Sequence, residues 1–133
     1  MKAFSLKIVT PDAIVYDGMA TGILLRTGSG DVEILAGHAD LVASVATGRV
    51  RIRTESGDRI AAASGGFLSV QGGTVSLVTT TFEYREGIDL ARAEAAKTEA
   101  EAAMQNRSSD ADLDRLQAKL QRAITRIRVG SER

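Results

Sequence analysis

Glycine positions divide this chain into two segments that favour different backbone structures. Of the 13 glycines, all except Gly130 lie at or before Gly87. The earlier glycines separate short runs of Val, Ile, Leu and Thr, a pattern typical of antiparallel strands joined by turns. The tract after Gly87 is rich in Ala, Glu and Arg, which favours helices. The sequence therefore predicts an α+β chain in which a small β-domain carries a helical extension.

The β-rich segment shows a regular spacing of predicted strands and turns. One strand and its turn take about eight to twelve residues, which indicates a flattened antiparallel β-sandwich or barrel over residues 1–84. In the run from Arg49 to Arg53, arginine alternates with Val50 and Ile52. One side of that strand is therefore predicted to face solvent.

Residues 85–133 are predicted to form an antiparallel helical hairpin. Asp89 can cap its first helix, because the carboxylate accepts a hydrogen bond from a free amide of the first turn. A polar stretch at 106–110 is expected to end that helix. The predicted packing faces are the alanines Ala93, Ala96, Ala100 and Ala103 in the first helix and the larger residues Leu113, Leu116, Leu120, Ile124 and Ile127 in the second.

The hairpin is predicted to be a mobile arm. Alanine methyl groups bury little apolar area, while ordering a residue costs about 1.5 kcal/mol. The hairpin must therefore dock on the β-domain, on a partner, or on each in turn. Laid end to end, roughly 40 helical residues would reach roughly 60 Å.

One face of the second helix is basic. Arg115, Lys119, Arg122 and Arg126 recur at spacings of four, three and four residues, so they share one side of the helix, called the basic face below. Two interpretations follow. The basic face is either a solvated border beside the buried stripe, or a site for a partner's carboxylates or a ligand's phosphates, which arginine binds in bidentate geometry.

Composition argues against several function classes. The 17 basic and 17 acidic residues cancel, so no global charge attracts nucleic acid or anionic lipid. The chain has no cysteine and one histidine, His38, which removes most zinc and nucleophilic chemistry. The N-terminus is too short and polar for a signal peptide, and no apolar run is long enough for a membrane span. We therefore expect no catalytic residues, no metal site and no nucleic-acid partner.

Several motifs resemble the epsilon subunit of F-type ATP synthase. The similar segments are Ile34–Leu41, Gly48–Ile52, Ser64–Val70, Val75–Thr80 and Asp89–Glu94. The resemblance implies a β-sandwich of about ten strands followed by a helical hairpin, seated on the rotor between the gamma subunit and the membrane c-ring. It also implies a non-catalytic, peripheral subunit at the cytoplasmic face of the cell membrane, whose extended hairpin restrains ATP hydrolysis by the alpha and beta catalytic subunits.

The resemblance also implies particular partner contacts. The loop Gly28–Glu33 is similar to the family's acidic loop facing the c-ring, which makes Asp31 and Glu33 candidate interface residues. His38 keeps its place in the Gly-His turn, although Ala36 stands where the family usually has proline. The basic face would meet an acidic helix-turn-helix of the beta subunits. From the residues alone, the loop is simply polar and flexible, and His38 is a structural or surface residue.

A further likeness concerns ATP as a regulatory ligand, not a required cofactor. Ile88–Ala93 resembles the Ile/Leu-Asp-x-x-Arg-Ala motif by which some bacterial epsilon subunits bind ATP in the folded hairpin. The implied contacts are Glu83, Ile88, Asp89, Arg92, Arg122 and Arg126. The alternative is that Asp89 only caps the helix and pairs with Arg92. Glu99 also stands where ATP-binding members tend to have arginine.

A different function class remains open at the level of sequence. A free-standing β-domain adaptor with a helical protein-binding tail would show the same glycine pattern and the same hairpin.

Overall fold

The computed structural model describes residues 2–106 and 109–132, and in this part of the chain eight strands precede two helices. The strands are β1 (Phe4–Val9), β2 (Ile14–Ala20), β3 (Gly22–Thr27), β4 (Gly30–Ile34), β5 (Leu41–Ser44), β6 (Gly48–Thr54), β7 (Gly57–Gln71) and β8 (Thr74–Tyr84). A 3-10 turn, Arg85–Gly87, then leads to α1 (Leu90–Gln105) and α2 (Asp110–Gly130).

The strands form a sandwich with its own apolar core. The hydrogen-bonded order is β2-β1-β8-β7-β6-β3-β4, with β5 paired to β7. Strands far apart in this order, such as β1 and β6, bury Ile8 and Ile52 in the same cluster, so the sheet folds over on itself. That cluster contains no residue of the hairpin. The predicted sandwich and hairpin are therefore confirmed, with one parallel pairing, β1 with β8, in an otherwise antiparallel sheet.

The strand count is eight in the described residues, where the resemblance implied about ten. The difference comes partly from β7, which runs for 15 residues through Gly65 and Gly66. Their φ angles of +70° and +132° lie in the region that favours glycine. The two glycines therefore bend β7 without ending it. Its first part pairs with β6 and its last part with β5, so one strand serves both layers.

Both helices begin at capping side chains. The Asp89 carboxylate accepts a hydrogen bond from the Arg92 amide at 3.1 Å, as the sequence predicted. The Ser109 hydroxyl accepts from the Asp112 amide at the same distance. The predicted break at 106–110 lies between the two helices, although residues 107 and 108 are outside the described part of the chain.

The hairpin docks on the β-domain through α2. Helix α1 packs against α2, and α2 packs against β6, β7 and the 3-10 turn. The buried residues of the two helices are Ala93, Ala100, Leu116, Ala123 and Val129.

The predicted apolar stripe of α2 was wrong as a description of its buried face. Of its five members only Leu116 is buried, and the other four are partly exposed. Instead, α2 buries the smaller Ala123 and, near its end, Val129. A Cβ on Gly130 would lie 2.8 Å from Leu90 Cδ2, so the start of α1 approaches the end of α2 closely. Because α2 faces a helix and a sheet at once, close approach selects small side chains.

We expect Gly66→Ala to destabilise the β-domain severely. A Cβ at this position would lie 1.7 Å from the Val78 carbonyl oxygen, and the backbone also has a positive φ. The expected loss is more than about 2 kcal/mol of unfolding free energy, measured by urea denaturation. Gly87→Ala is the matched control, because its Cβ would meet nothing within 4 Å. Equal stability of the two variants would contradict the bend assignment.

Candidate functional site

A cleft of about 350 Å³ lies between the sandwich and α2. Glu83, near the end of β8, contributes a carboxylate, and Arg122 and Arg126 of α2 contribute guanidinium groups. Arg126 Nε donates to Glu83 Oε1 at 2.8 Å. Among the described residues no carboxylate lies within ion-pair distance of Arg122. The fold thus brings Glu83 of β8 and two arginines of α2 together at one site.

Hydroxyl groups line much of the same cleft. They belong to Thr10, Thr47, Ser64, Thr80, Thr81 and Thr125. The Ser64 and Thr81 hydroxyls lie 2.5 Å apart and bond to each other. Hydroxyls donate and accept, so this wall can satisfy the hydroxyls and ring nitrogens of a polar ligand.

A groove of about 360 Å³ between the two helices adjoins this cleft. Arg122 and Arg126 line both spaces, and the groove adds Lys119 and Glu99. The part of the basic face formed by Arg122 and Arg126 therefore faces both the cleft and the groove. Glu99 places a negative charge in the groove, which lowers its affinity for anions.

The structure brings together only part of the predicted nucleotide set. Ile88 packs against the cluster of Ile60, Ala62 and Val129, and Asp89 serves as the cap of α1. These two residues and Arg92 do not line the cleft. Among the described residues, Asp89 contacts the backbone amide of Arg92 and forms no ion pair with the Arg92 guanidinium.

The predicted c-ring residues lie at the end of the sandwich formed by β3 and β4. Asp31 is 3.5 Å from Arg26, and Glu33 is 3.6 Å from Arg53, so both carboxylates have partners within the sheet. His38 lies in the following turn, with its Nδ1 2.7 Å from the Ala39 carbonyl oxygen.

The upper half of the basic face is open to solvent. Arg115 and Lys119 are exposed, whereas Arg122 and Arg126 are partly buried. Arg115 lies 3.5 Å from Asp112 of its own helix, a spacing of three residues. One face therefore changes along its length from solvent-exposed at the hairpin tip to partly covered at the base.

Sequence reasoning missed the partner of Arg49. This side chain was predicted to face solvent, but Arg49 Nε donates to Glu132 Oε2 at 2.7 Å, and its Nη2 contacts the other carboxylate oxygen. The hydrogen bond from Arg49 holds the pKa of Glu132 below its ordinary value, with Arg85 and Arg51 adding to this effect. Alternation along β6 shows which side Arg49 faces, but it contains no signal for a partner 83 residues away.

An apolar row crosses an outer face of the sandwich. The register places Phe67, Val78, Val9 and Ile14 side by side on β7, β8, β1 and β2. Phe67 is 63% exposed and Ile14 58%. Scattered apolar side chains are normal on protein surfaces, whereas an aligned row is typical of a protein-contact surface.

The described residues contain neither a metal-binding cluster nor a membrane-spanning helix. No group of three or more His, Cys, Asp or Glu residues is placed to hold a metal ion. Neither helix combines the length and the apolar character that crossing a membrane requires.

Comparison with known families matches both parts of the chain. Residues 3–85 match the model of the ATP synthase Delta/Epsilon chain beta-sandwich domain, and residues 86–130 match that of its long alpha-helix domain. The ATP synthase epsilon chain of Bacillus velezensis is 42% identical over 129 residues, covering 97% of this chain and 98% of the relative. That of Ruminococcus albus is 36% identical, with all of both chains covered.

Solved structures show the same fold. A chain in the cryo-EM structure of the Euglena gracilis mitochondrial ATP synthase, OSCP/F1/c-ring, superposes with a TM-score of 0.79 at 27% identity, covering 90% of this chain and 76% of that one. A chain of the Tetrahymena thermophila mitochondrial ATP synthase central stalk/c-ring structure gives 0.71 at 14% identity, with 96% of each chain covered. Matches to both domain models and to near full-length relatives show that this protein belongs to the ATP synthase epsilon chain family and is a non-catalytic subunit.

Proposed function

We propose that this chain is a central-stalk subunit whose hairpin restrains ATP hydrolysis when extended and is held in the docked state by ATP. The observation that carries the proposal is the cleft between the sandwich and α2, where Glu83, Arg122 and Arg126 meet. The cleft exists only while α2 is docked, because α2 forms one of its two walls. A ligand that binds there therefore stabilises the docked state over the extended one.

The chemistry of the cleft suits a nucleoside phosphate. Arg122 has no carboxylate partner among the described residues and is available to phosphate oxygens. The Glu83 carboxylate and the neighbouring hydroxyls can accept from an amino group or a ribose hydroxyl.

The inhibitory role uses the same face of α2. In the docked state Arg122 and Arg126 line the cleft and are partly buried, while Arg115 and Lys119 stay exposed. Undocking would expose all four cations on one helix, as an acidic partner surface requires. ATP binding and inhibition then compete for shared residues, which makes them reciprocally linked.

The β-domain provides the fixed attachment in this proposal. Its core is independent of the hairpin, so it can stay on the rotor while the arm moves. The apolar row of Phe67, Val78, Val9 and Ile14 is suited to the gamma subunit. Asp31, Glu33 and His38 are assigned to the c-ring side. The chain would then reach the cytoplasmic face of the membrane through the complex alone.

We expect ATP to raise the thermal transition of the isolated protein. At ATP concentrations ten times Kd, linkage contributes about 1.4 kcal/mol, equivalent to about 5 °C for a chain of this size. Loss of helical circular dichroism is the measurement. Arg122→Ala should weaken ATP binding about tenfold or more, because it removes a charge-assisted contact.

Arg115→Ala is the matched control for the ATP experiment. Arg115 lies on the same face of α2 but outside the cleft, so its replacement should leave the ATP-induced shift intact. A transition temperature that does not change up to millimolar ATP would contradict the proposal that ATP holds the hairpin docked. Equal losses in the two variants would point to nonspecific charge attraction.

We expect removal of the residues after Gly87 to raise ATP hydrolysis by the assembled complex. The independent core predicts that the shortened chain still folds and still joins the complex. Release of a typical allosteric restraint would raise the rate about fivefold or more. Complex assembled with the full-length chain is the control, and equal rates with equal incorporation would show that the arm has no inhibitory role.

A further inference from the structure

We propose that the C-terminal end of α2 is an electrostatic latch, in which Glu132 is held by an arginine socket on the β-domain and keeps the hairpin docked without any ligand. The inference rests on the proposed function, since it adds a second determinant of the same docked state. The latch consists of Val129, Gly130 and Glu132, and the socket of Arg49, Arg51 and Arg85.

The socket is formed by two elements of the β-domain. Arg49 and Arg51 come from β6, and Arg85 comes from the 3-10 turn where the chain leaves the sandwich. Arg49 binds both oxygens of the Glu132 carboxylate, while Arg51 and Arg85 act on it through their charges. Asp58 of β7 pairs with Arg51 and offsets part of the positive charge.

The position of Glu132 just beyond the end of α2 favours docking. The residue follows the C-cap Ser131, at the helix end toward which the backbone carbonyl groups point. A carboxylate is unfavourable there in an isolated helix, because it meets the negative end of the helix dipole. Docking supplies Arg49 and removes that penalty, so the carboxylate prefers the docked helix to the free one.

Apolar contacts position the carboxylate for this pairing. Val129 is fully buried in a cluster with Ile60 and Ala62 of β7 and with Ile88. A Cβ on Gly130 would lie 2.9 Å from Ile88 Cγ2, so the last turn of α2 packs closely against the segment that precedes α1. The latch therefore lies at the base of the hairpin, and undocking must break it.

The latch is separate from the nucleotide cleft. None of Glu132, Arg51 and Arg85 lines that cleft. Arg49 lines a different space, on the other side of α2, together with Arg128. Loss of the latch should therefore loosen the hairpin while leaving the residues that bind ATP in place.

Glu132→Gln should increase hydrogen–deuterium exchange of the α2 amides in the nucleotide-free full-length protein. The pair is about one-third exposed, so the expected increase in exchange rate is about twofold to fivefold, the range of a partly screened ion pair. Peptides from the sandwich core should be unchanged. Glu101→Gln, on the exposed side of α1, is the control and should exchange like the native protein.

Three further measurements sharpen the test. Arg49→Gln should have the same effect, and the double variant should be no looser than the looser single variant, because both remove one interaction. Added salt should loosen the native hairpin more than that of Glu132→Gln, which retains only the Arg126–Glu83 pair of the two. The pKa of Glu132 is lower in the docked state than the ordinary glutamate value of 4.5. The ion pair therefore stabilises the docked hairpin fully above pH 4.5, and this stabilisation is lost as the pH falls further and Glu132 becomes protonated.

The outcomes separate the latch from the proposed function. Exchange of Glu132→Gln equal to that of the native protein, at low salt and without ATP, would overturn the latch. Additive effects of the two single variants would also overturn it. If ATP slows exchange of α2 in both the native protein and Glu132→Gln, the nucleotide role is supported whether or not the latch is overturned. A loosened Glu132→Gln with no ATP effect in either protein would support the latch and contradict the nucleotide role.

Discussion

The hairpin is joined to the β-domain by a small contact surface at the base of α2. Among the described residues of the two helices, only Val129 belongs to the apolar cluster on that side, where it meets Ile60, Ala62 and Ile88. Helix α1 packs mainly on α2, so its position depends on the same contact. The cleft and the partial burial of Arg122 and Arg126 therefore depend on how α2 is held against the β-domain.

Small side chains limit the apolar area that the two helices bury. Ala93, Ala100 and Ala123 allow close approach but bury little apolar area. Polar contacts therefore contribute to the balance between the docked and free states. Arg126 with Glu83 lies on one side of α2, and Arg49 with Glu132 lies at its end. Ligands and partners that bind through charge can shift such a balance, because only a few kcal/mol separate a mostly docked from a mostly free population.

The two outer faces of the sandwich are suited to different tasks. One face, on β6 and the first part of β7, is covered by α2. The other carries the exposed row that includes Phe67 and Ile14. The bend at Gly65 and Gly66 allows β7 to contribute to both. A fixed attachment and a releasable arm can therefore coexist, since movement of the hairpin leaves the other face and the core unchanged.

Local pattern was enough to determine the division of the chain. The glycine-separated runs, the capping carboxylate of Asp89 and the shared face of Arg122 and Arg126 each depend on neighbours within a few residues, and the structure contains all of them. Family likeness added Glu83, which the fold then placed 2.8 Å from Arg126.

Tertiary structure alone decided how the pieces meet. Periodicity selected the larger side chains of α2 as its buried stripe, but packing against both α1 and the sheet buries Ala123 and Val129 beside Leu116. Strand alternation put Arg49 on a solvent-facing side, and the docked helix supplied Glu132 from 83 residues away. A periodic pattern reports which side of an element is apolar, whereas the partner of that side is set by packing between distant segments.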